Sequence, residues 1–137
     1  MNIEYLPHTA DIRMKIKGET PMQLFLAGLL GMSHILKENV CRETPEFRKK
    51  AEIKLSAPDL TCLLIDFLSE VLSISYTEKA IFCRMEDVVI SENNLAATLF
   101  GTGISSLDEE IKGVTYHEAE VRKNSSNCWE TLIVFDI

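Results

Sequence analysis

The C-terminal segment of this chain contains four apolar residues in a row, Leu132 to Phe135, within a stretch that begins at Trp129. A strand that is apolar on both sides is normally covered on both faces, which places it inside a sheet. We therefore expect this strand to be central, so that the chain ends in the middle of its own sheet. The other elements must then pair with this strand or pack on it.

Alternating apolar and charged residues predict strands elsewhere in the chain. Ile12, Met14 and Ile16 alternate with basic residues, which is typical of a strand with one face on the core. Turn residues at 91–94 and 123–127 predict two hairpins. The remaining predicted strands cover residues 51–55, 80–90, 95–100 and 114–121, and the predicted loops cover residues 39–46 and 101–110.

A first helix is predicted to follow Thr20, because threonine can cap a helix and the next residue is a proline, which suits the first turn. Gln23 can reach back in a capping box. Gly28 and Gly31 lie inside this helix, where each glycine costs roughly 1 kcal/mol relative to alanine. We expect the two glycines to mark close packing against the sheet.

A second helix is predicted to begin after Asp59 and to end near Tyr76. Helices and strands in this order predict an α+β fold in which two main helices pack on a mixed, mostly antiparallel sheet. A chain of 137 residues fits one domain, so we expect residues 1–137 to form a single domain. The apolar stripe of the second helix consists of Leu60, Leu63, Leu64, Phe67, Leu68, Val71 and Leu72.

The charge of the chain argues against independent binding of nucleic acid. Fourteen basic residues stand against 21 acidic ones, which gives a formal net charge of −7. Affinity for RNA and DNA comes largely from Lys and Arg on phosphates, so we expect little direct nucleic-acid binding. The basic run Arg48 to Lys50 is typical of a solvated strand edge. An acidic surface suits a basic partner protein or a bound cation.

The four cysteines, Cys41, Cys62, Cys83 and Cys128, include no Cys-x-x-Cys pair, which argues against zinc and redox motifs. The N-terminus lacks the pattern of a signal peptide, and no run of about 18 apolar residues predicts a membrane span. We therefore expect a cytoplasmic protein without a membrane segment. In that compartment the four thiols are expected to be reduced and mostly buried.

Two aspartates flank the predicted first and last strands. Asp11 opens the first of these strands and Asp136 directly follows the last. If the two strands are neighbours, both carboxylates and the terminal oxygens of Ile137 meet at one end of the sheet, which would suit Ca²⁺ or Mg²⁺. The alternative is that Asp11 caps a turn and Asp136 lies at a frayed end. Spacing alone favours this alternative, because no EF-hand-like run of ligands is present.

Further candidates for chemistry are few. No nucleophile elbow, zinc-protease motif, Walker loop or dinucleotide-binding loop is present in the sequence. Lys112, at the start of a predicted strand, suits contact with an anion or an acidic partner residue. A solvated lysine is the more common interpretation of such a residue.

Four segments of the chain carry a recognisable combination of motifs: His8-Thr9-Ala10-Asp11-Ile12, the helical run Leu63 to Leu72, Lys112-Gly113-Val114-Thr115-Tyr116-His117, and Val134-Phe135-Asp136-Ile137. In this order along the chain, they resemble the archease family. The resemblance implies an α+β fold and a role as accessory factor to the GTP-dependent RNA ligase that seals tRNA halves after intron removal. In that role the protein promotes ligase guanylylation and multiple turnover and is not itself an enzyme.

The resemblance also implies a divalent-metal site, expected to hold Ca²⁺ with Mg²⁺ or Mn²⁺ as alternatives. Its ligands map onto Asp11, Asp136 and the backbone of Ile137. His8, Asp66 and Lys112 match family positions and are carried over as residues that contact the partner or support the site. The family pattern often has a small residue where this chain has Arg13, and the loop 101–111 is short, so the rim of the site is expected to differ locally.

Two other classes of function remain open at this stage. A metal-dependent hydrolase or phosphotransferase would use Asp11 and Asp136 to hold Mg²⁺, with His8 or His117 as general base. A chaperone-like module would serve other RNA-modifying proteins. Phosphoester turnover by the purified protein would indicate the enzyme, and capture of a protein other than the ligase would indicate the chaperone.

Overall fold

Eight strands and three helices make up the part of the chain that the structure describes, residues 1–6 and 11–137 of this computed structural model. The helices are α1 (Pro21–Leu36), α2 (Val40–Glu43) and α3 (Leu60–Glu78). The strands are β1 (Asn2–Leu6), β2 (Asp11–Gly18), β3 (Lys49–Ser56), β4 (Ala80–Ile90), β5 (Asn94–Gly103), β6 (Gly113–Thr115), β7 (Arg122–Lys123) and β8 (Trp129–Asp136).

The strands form two sheets, and every pairing between strands of the described residues is antiparallel. The first sheet has the order β1-β2-β8-β6, with β7 also paired to β8, and the second has the order β3-β5-β4. Both α1 and α3 contact strands of both sheets. The predicted α+β class with two main helices is confirmed, and the sheet that the sequence predicted as one unit is divided in two.

The last strand lies in the interior of the first sheet, as its apolar run predicted. β8 pairs with β2 along eight residue pairs, and on its other side it pairs with β6 and β7. Ile133, Val134 and Phe135 are all buried, although their side chains alternate between the two faces. The central position of β8 follows from this need to cover both faces.

The predicted cap of α1 is confirmed. The side chain of Thr20 accepts a hydrogen bond from the Gln23 N–H at 3.1 Å. The Gln23 amide oxygen reaches back and accepts from the Glu19 N–H at 2.9 Å, one residue before the expected partner. Two N–H groups at the start of the helix are thereby satisfied.

The close packing predicted for the glycines of α1 is confirmed at Gly31 but not at Gly28. A Cβ at Gly31 would overlap the sulfur of Met14 in β2 and lie 3.3 Å from a methyl carbon of Ile3 in β1. The hydroxyl of Tyr5 donates to the Gly31 carbonyl at 2.9 Å, which further ties β1 to the helix. At Gly28 a Cβ would make ordinary contacts, at 3.4 Å from Leu68 and 3.5 Å from Ile16.

α3 contributes seven buried apolar side chains to the core. Asp59 caps it by accepting from the Cys62 N–H at 2.8 Å. By length and hydropathy alone α3 would be long enough to cross a membrane. The sequence did not predict this, because it contains no unbroken run of about 18 apolar residues. Helices buried in a protein core can have the same length and hydropathy. The long apolar side chains of α3 are packed in the core.

The cysteines differ from the prediction, because Cys41 and Cys83 form a disulfide bond. They are 42 residues apart in sequence, so no short spacing signalled the bond. Cys41 lies in α2, a single helical turn within the segment 39–46 that was predicted as a loop. Cys62 and Cys128 are free thiols, and both are half-buried.

The strand predicted over residues 114–121 is wrong beyond Thr115. Glu118 has a positive φ of 63°, which a continuous strand does not accommodate. Ala119 N–H donates to the Tyr116 carbonyl at 3.2 Å in a turn. The two donors after it bond to side chains: Glu120 N–H donates to Thr131 and Val121 N–H to Thr61, both at 2.9 Å. β5, in turn, continues to Gly103 and shortens the predicted loop.

The two glycines of α1 make a matched pair of substitutions. We expect Gly31→Ala to lower the free energy of unfolding by about 1–3 kcal/mol, because the new methyl group overpacks against Met14. Gly28→Ala should be neutral or stabilising by up to about 1 kcal/mol, because alanine favours the helix and meets only ordinary contacts. Urea denaturation measures both values. Equal stability of the two variants would contradict the packing described here.

The disulfide bond predicts a specific loss on reduction. Cys41→Ser, or a reducing agent on the unchanged protein, should lower the free energy of unfolding by about 2–4 kcal/mol, because the unfolded chain regains the freedom of a long loop. Cys128→Ser is the control, since Cys128 carries a free thiol. A count of four reactive thiols in the denatured, unreduced protein would show that the bond does not form.

Candidate functional site

Asp11 and Asp136 lie directly opposite each other at one end of the first sheet. Asp11 is the first residue of β2, Asp136 is the last of β8, and the two are partners in the antiparallel register. Opposite residues in such a pair point to the same face, with Cβ atoms about 4.5–5.5 Å apart. The condition for the predicted site, that the first and last of these strands are neighbours, is therefore met. Asp11 is half-buried and Asp136 is exposed.

The donor groups at this position fit a hard cation. Two carboxylates next to main-chain carbonyls are the oxygen ligands that Ca²⁺ and Mg²⁺ prefer. Within residues 1–6 and 11–137, however, no three Asp, Glu, His or Cys side chains are grouped so that they could hold a metal ion. A complete ligand set at Asp11 and Asp136 therefore needs a main-chain oxygen, such as that of Ile137, or a group outside these residues.

Lys112 is brought to the same end of the sheet by its main chain. Its N–H donates to the Asp136 carbonyl at 2.7 Å, and the next residue, Gly113, is the β6 partner of Asp136. Asp136 therefore lies between Asp11 on one side and residues 112–113 on the other. The Lys112 side chain is exposed to solvent, so its ammonium group is accessible to a partner.

An open cavity of about 450 Å³ lies beside Asp11. Among the described residues, Tyr5, His34 and Glu109 also place ionisable side chains on its wall. The Nδ1 of His34 accepts from the Asn39 N–H at 3.2 Å, and its ring stacks on Tyr5 with 6.1 Å between centroids. These contacts fix the imidazole on the wall of the cavity.

Asp66 is held elsewhere, at some distance from the paired aspartates. Its carboxylate accepts a hydrogen bond from the hydroxyl of Tyr116, the residue that follows β6. Tyr116 is three residues further along the chain than Gly113, which corresponds to roughly 10 Å in extended backbone. The hydrogen bond raises the pKa of Tyr116 to about 12, with burial and the negative charge of Asp66 adding to the shift.

His8 lies outside the residues that the structure describes, so its predicted role stays a prediction. Arg13, the departure from the family pattern, pairs with Glu118 through two contacts of 3.2 Å. This bidentate pair joins β2 to the segment after β6. Arg13 lies two residues beyond Asp11 along β2, and the pair directs its long side chain to Glu118.

Tyr76 is the residue at this end that sequence reasoning missed. The sequence predicts only that a helix ends near Tyr76, yet the Tyr76 hydroxyl bonds both main-chain groups of Ile111. The two residues are 35 positions apart, and nothing in the local pattern around Tyr76 indicates the contact.

The segment before Ile111 is attached to the end of α1. Asp108 N–H donates to the Leu36 carbonyl at 2.8 Å, and the Asp108 carboxylate accepts from the Glu38 N–H at 2.8 Å. This second hydrogen bond lowers the pKa of Asp108, and nearby Lys37 adds to the effect. The acidic residues 108–110 are therefore held near the Asp11 cavity.

Comparison with known proteins points to one family. Residues 3–137 match the family model of the Archease protein family. A protein named archease from Methanosarcina mazei is 33% identical over 144 aligned positions, which cover 98% of this chain and 94% of that protein.

Two solved structures share the fold. The solution structure of protein 1598 from Methanobacterium thermoautotrophicum has a TM-score of 0.76 at 22% identity, and the alignment covers 98% of each chain. The crystal structure of an archease from Thermotoga maritima, described as a possible chaperone, has a TM-score of 0.60 at 19% identity, covering 96% of this chain and 94% of that one. At these identities the likeness concerns the fold.

The Tyr116–Asp66 hydrogen bond predicts a change in the alkaline titration of the protein. Asp66→Asn should return the pKa of Tyr116 from about 12 towards its ordinary value of 10, because the carboxylate that holds the phenolic proton is lost. Tyr5, whose pKa burial raises to about 12, should be unaffected. Phenolate absorbance as a function of pH measures both groups. Superimposable curves for the variant and the unchanged protein would contradict this assignment.

The same hydrogen bond predicts the sign of a stability change. Since the pKa of Tyr116 is raised in the folded state, its contribution to stability is complete below about pH 10 and is lost as the pH rises towards 12. In Asp66→Asn, the loss of stability that Tyr116 causes as the pH rises from about 10 towards 12 should be absent.

Proposed function

This chain belongs to the archease family, and we propose that it is an accessory factor that activates the GTP-dependent tRNA-splicing RNA ligase. In this proposal the protein promotes guanylylation of the ligase and its multiple turnover, and it does not join RNA itself. The single observation that carries the proposal is the register of β2 with β8, which sets Asp11 opposite Asp136.

The proposed cofactor is a divalent cation, Ca²⁺ in the first place, held by Asp11, Asp136 and the main-chain oxygen of Ile137. When bound, the cation would supply a hard positive charge between two carboxylates that otherwise repel each other. The chain's own part is to hold these ligands at the ends of two paired strands. β8 is central in its sheet, so the position of Asp136 is fixed on both sides.

The charge and shape of this end support a protein partner. The chain has a net charge of −7, so its own electrostatic attraction to RNA is weak and the ligase is the proposed contact. Lys112 is exposed next to Asp136 and can meet an acidic or phosphate-bearing group on the partner. Tyr116, 57% exposed and oriented by Asp66, adds an aromatic contact of the kind enriched at interfaces.

A chaperone-like role is the second candidate, and one observation favours it. The structurally similar archease from Thermotoga maritima is described as a possible chaperone. In this case the protein would bind folding intermediates or RNA-modifying enzymes instead of one ligase. The cytoplasmic location is part of either proposal, although disulfide bonds such as Cys41–Cys83 are rare in that compartment.

The carboxylate pair gives a direct test of the cation. In the presence of a chelator, Asp136→Asn should be at least as stable as the unchanged protein, because one of two repelling charges is removed. With excess Ca²⁺ the unchanged protein should gain stability with concentration, and Asp136→Asn and Asp11→Asn should gain much less. Thermal unfolding and titration calorimetry measure these differences. Glu52→Gln, which removes an exposed negative charge on β3, is the control.

The same variants test the activation. Ligase turnovers per enzyme, measured with the cognate RNA ligase, should fall to the unassisted level with Asp11→Asn or Asp136→Asn and stay stimulated with Glu52→Gln. Stimulation that survives both aspartate changes would exclude the proposed role of the site. An unchanged ligase turnover on adding the natural protein would exclude the activator function and favour the chaperone-like role.

A further inference from the structure

Tyr76 makes an uncommon double contact with a buried stretch of main chain. Its hydroxyl donates to the Ile111 carbonyl at 2.5 Å and accepts from the Ile111 N–H at 2.8 Å. Ile111 is fully buried, so neither of its main-chain groups has access to water. Buried main-chain groups require partners, and here one phenolic oxygen satisfies both.

The next two residues connect this contact to the paired aspartates. Lys112 N–H donates to the Asp136 carbonyl at 2.7 Å, and Gly113 pairs with Asp136 in the sheet. On its other side Asp136 is the register partner of Asp11. Along the end of the sheet the order is therefore Asp11, Asp136, residues 111–113 and Tyr76.

We propose that Tyr76 is a positioning residue for the cation site. By holding residues 111–113 against β8, it fixes the main chain of Asp136 and the point from which Lys112 extends. The inference rests on the proposed function, because it concerns the same site. It adds Tyr76, in the last turn of α3 and outside the four segments that resemble the family. In this proposal Tyr76 acts through the main chain of residues 111–113 and does not itself bind the cation or the partner.

The attachments on either side of residues 111–113 confine the effect of the Tyr76 hydroxyl to this segment. The chain is tied to the end of α1 at Asp108, and it is tied to α3 again by the hydrogen bond between Tyr116 and Asp66. Between these two points, Tyr76 is the side chain that bonds Ile111. Without its hydroxyl the segment should stay attached at both ends while Ile111 turns towards water, which lengthens the Lys112–Asp136 bond.

The hydroxyl of Tyr76 keeps its proton over the working range of pH. Burial raises the pKa of Tyr76 above its ordinary value of 10, so the group remains able to donate and accept at once. A phenylalanine would retain the ring and its packing and would lose only these two hydrogen bonds. Tyr76→Phe is therefore a narrow test of the positioning role.

Ser33→Ala is the matched control. The Ser33 hydroxyl also donates to a main-chain carbonyl, that of Phe82 at 2.7 Å, and it ties α1 to β4 in the second sheet. Both substitutions remove one hydroxyl that bonds main chain, and only the Tyr76 hydroxyl bonds Ile111. An effect due merely to the loss of a structural hydrogen bond should be similar in the two variants.

The experiment combines three measurements on the folded full-length protein. Amide hydrogen exchange reports the Lys112–Asp136 bond, calorimetric titration with Ca²⁺ reports the site, and ligase stimulation is measured over a range of accessory-protein concentrations. For Tyr76→Phe we expect exchange at Lys112 to become about tenfold faster, which corresponds to the loss of about one hydrogen bond. The affinity for Ca²⁺ should fall several-fold, and half-maximal stimulation should need a correspondingly higher concentration. Ser33→Ala should leave all three unchanged.

Two outcomes are distinguishable from each other. If Tyr76→Phe binds Ca²⁺ as tightly as the unchanged protein, or if Ser33→Ala weakens binding equally, the positioning role is wrong while the proposed function stands. If the unchanged protein binds no divalent cation, the proposed function fails first and the inference falls with it. In either case the exchange data still show whether Tyr76 holds residues 111–113.

Discussion

The antiparallel pairing of β2 with β8 is the interaction on which the rest of this structure depends. Its register sets Met14 opposite Ile133 in the core and Asp11 opposite Asp136 at the end of the sheet. A shift of one residue would turn every side chain of β2 to the other face. The buried positions of Met14 and Ile133 therefore fix the aspartate pair as well, so that the packing of the core and the geometry of the site are one constraint.

Features with a local or periodic signal could be predicted from the sequence. The caps at Thr20 and Asp59 need only nearby residues, and the central position of β8 follows from its unbroken apolar run. The meeting of Asp11 and Asp136 was predictable only on the condition that the two strands are neighbours. That condition depends on topology, which short-range patterns do not determine, and the family resemblance strengthened the expectation where spacing did not.

The features that could not be predicted all depend on contacts between distant residues. The bond between Cys41 and Cys83 needs α2 and β4 to be side by side, and no pattern near either cysteine indicates this. β6 ends at Thr115 because the chain turns at residues 116–119, and distant threonines, Thr131 and Thr61, then take the main-chain donors of Glu120 and Val121. The Tyr76–Ile111 contact belongs to the same class, since it joins the end of a helix to a loop residue 35 positions away.

The arrangement at the end of the first sheet also bears on how a cation could serve a partner protein. Hard cations discriminate by the number and rigidity of their oxygen ligands, and a site keeps its geometry only when the elements that carry it are held in place. Asp136 is on the central strand, with β2 on one side and residues 112–113 on the other. Tyr76 then supports this second side from α3. A partner that docks here would meet ligands fixed by the core of the fold, so the energy of docking need not be spent on ordering them.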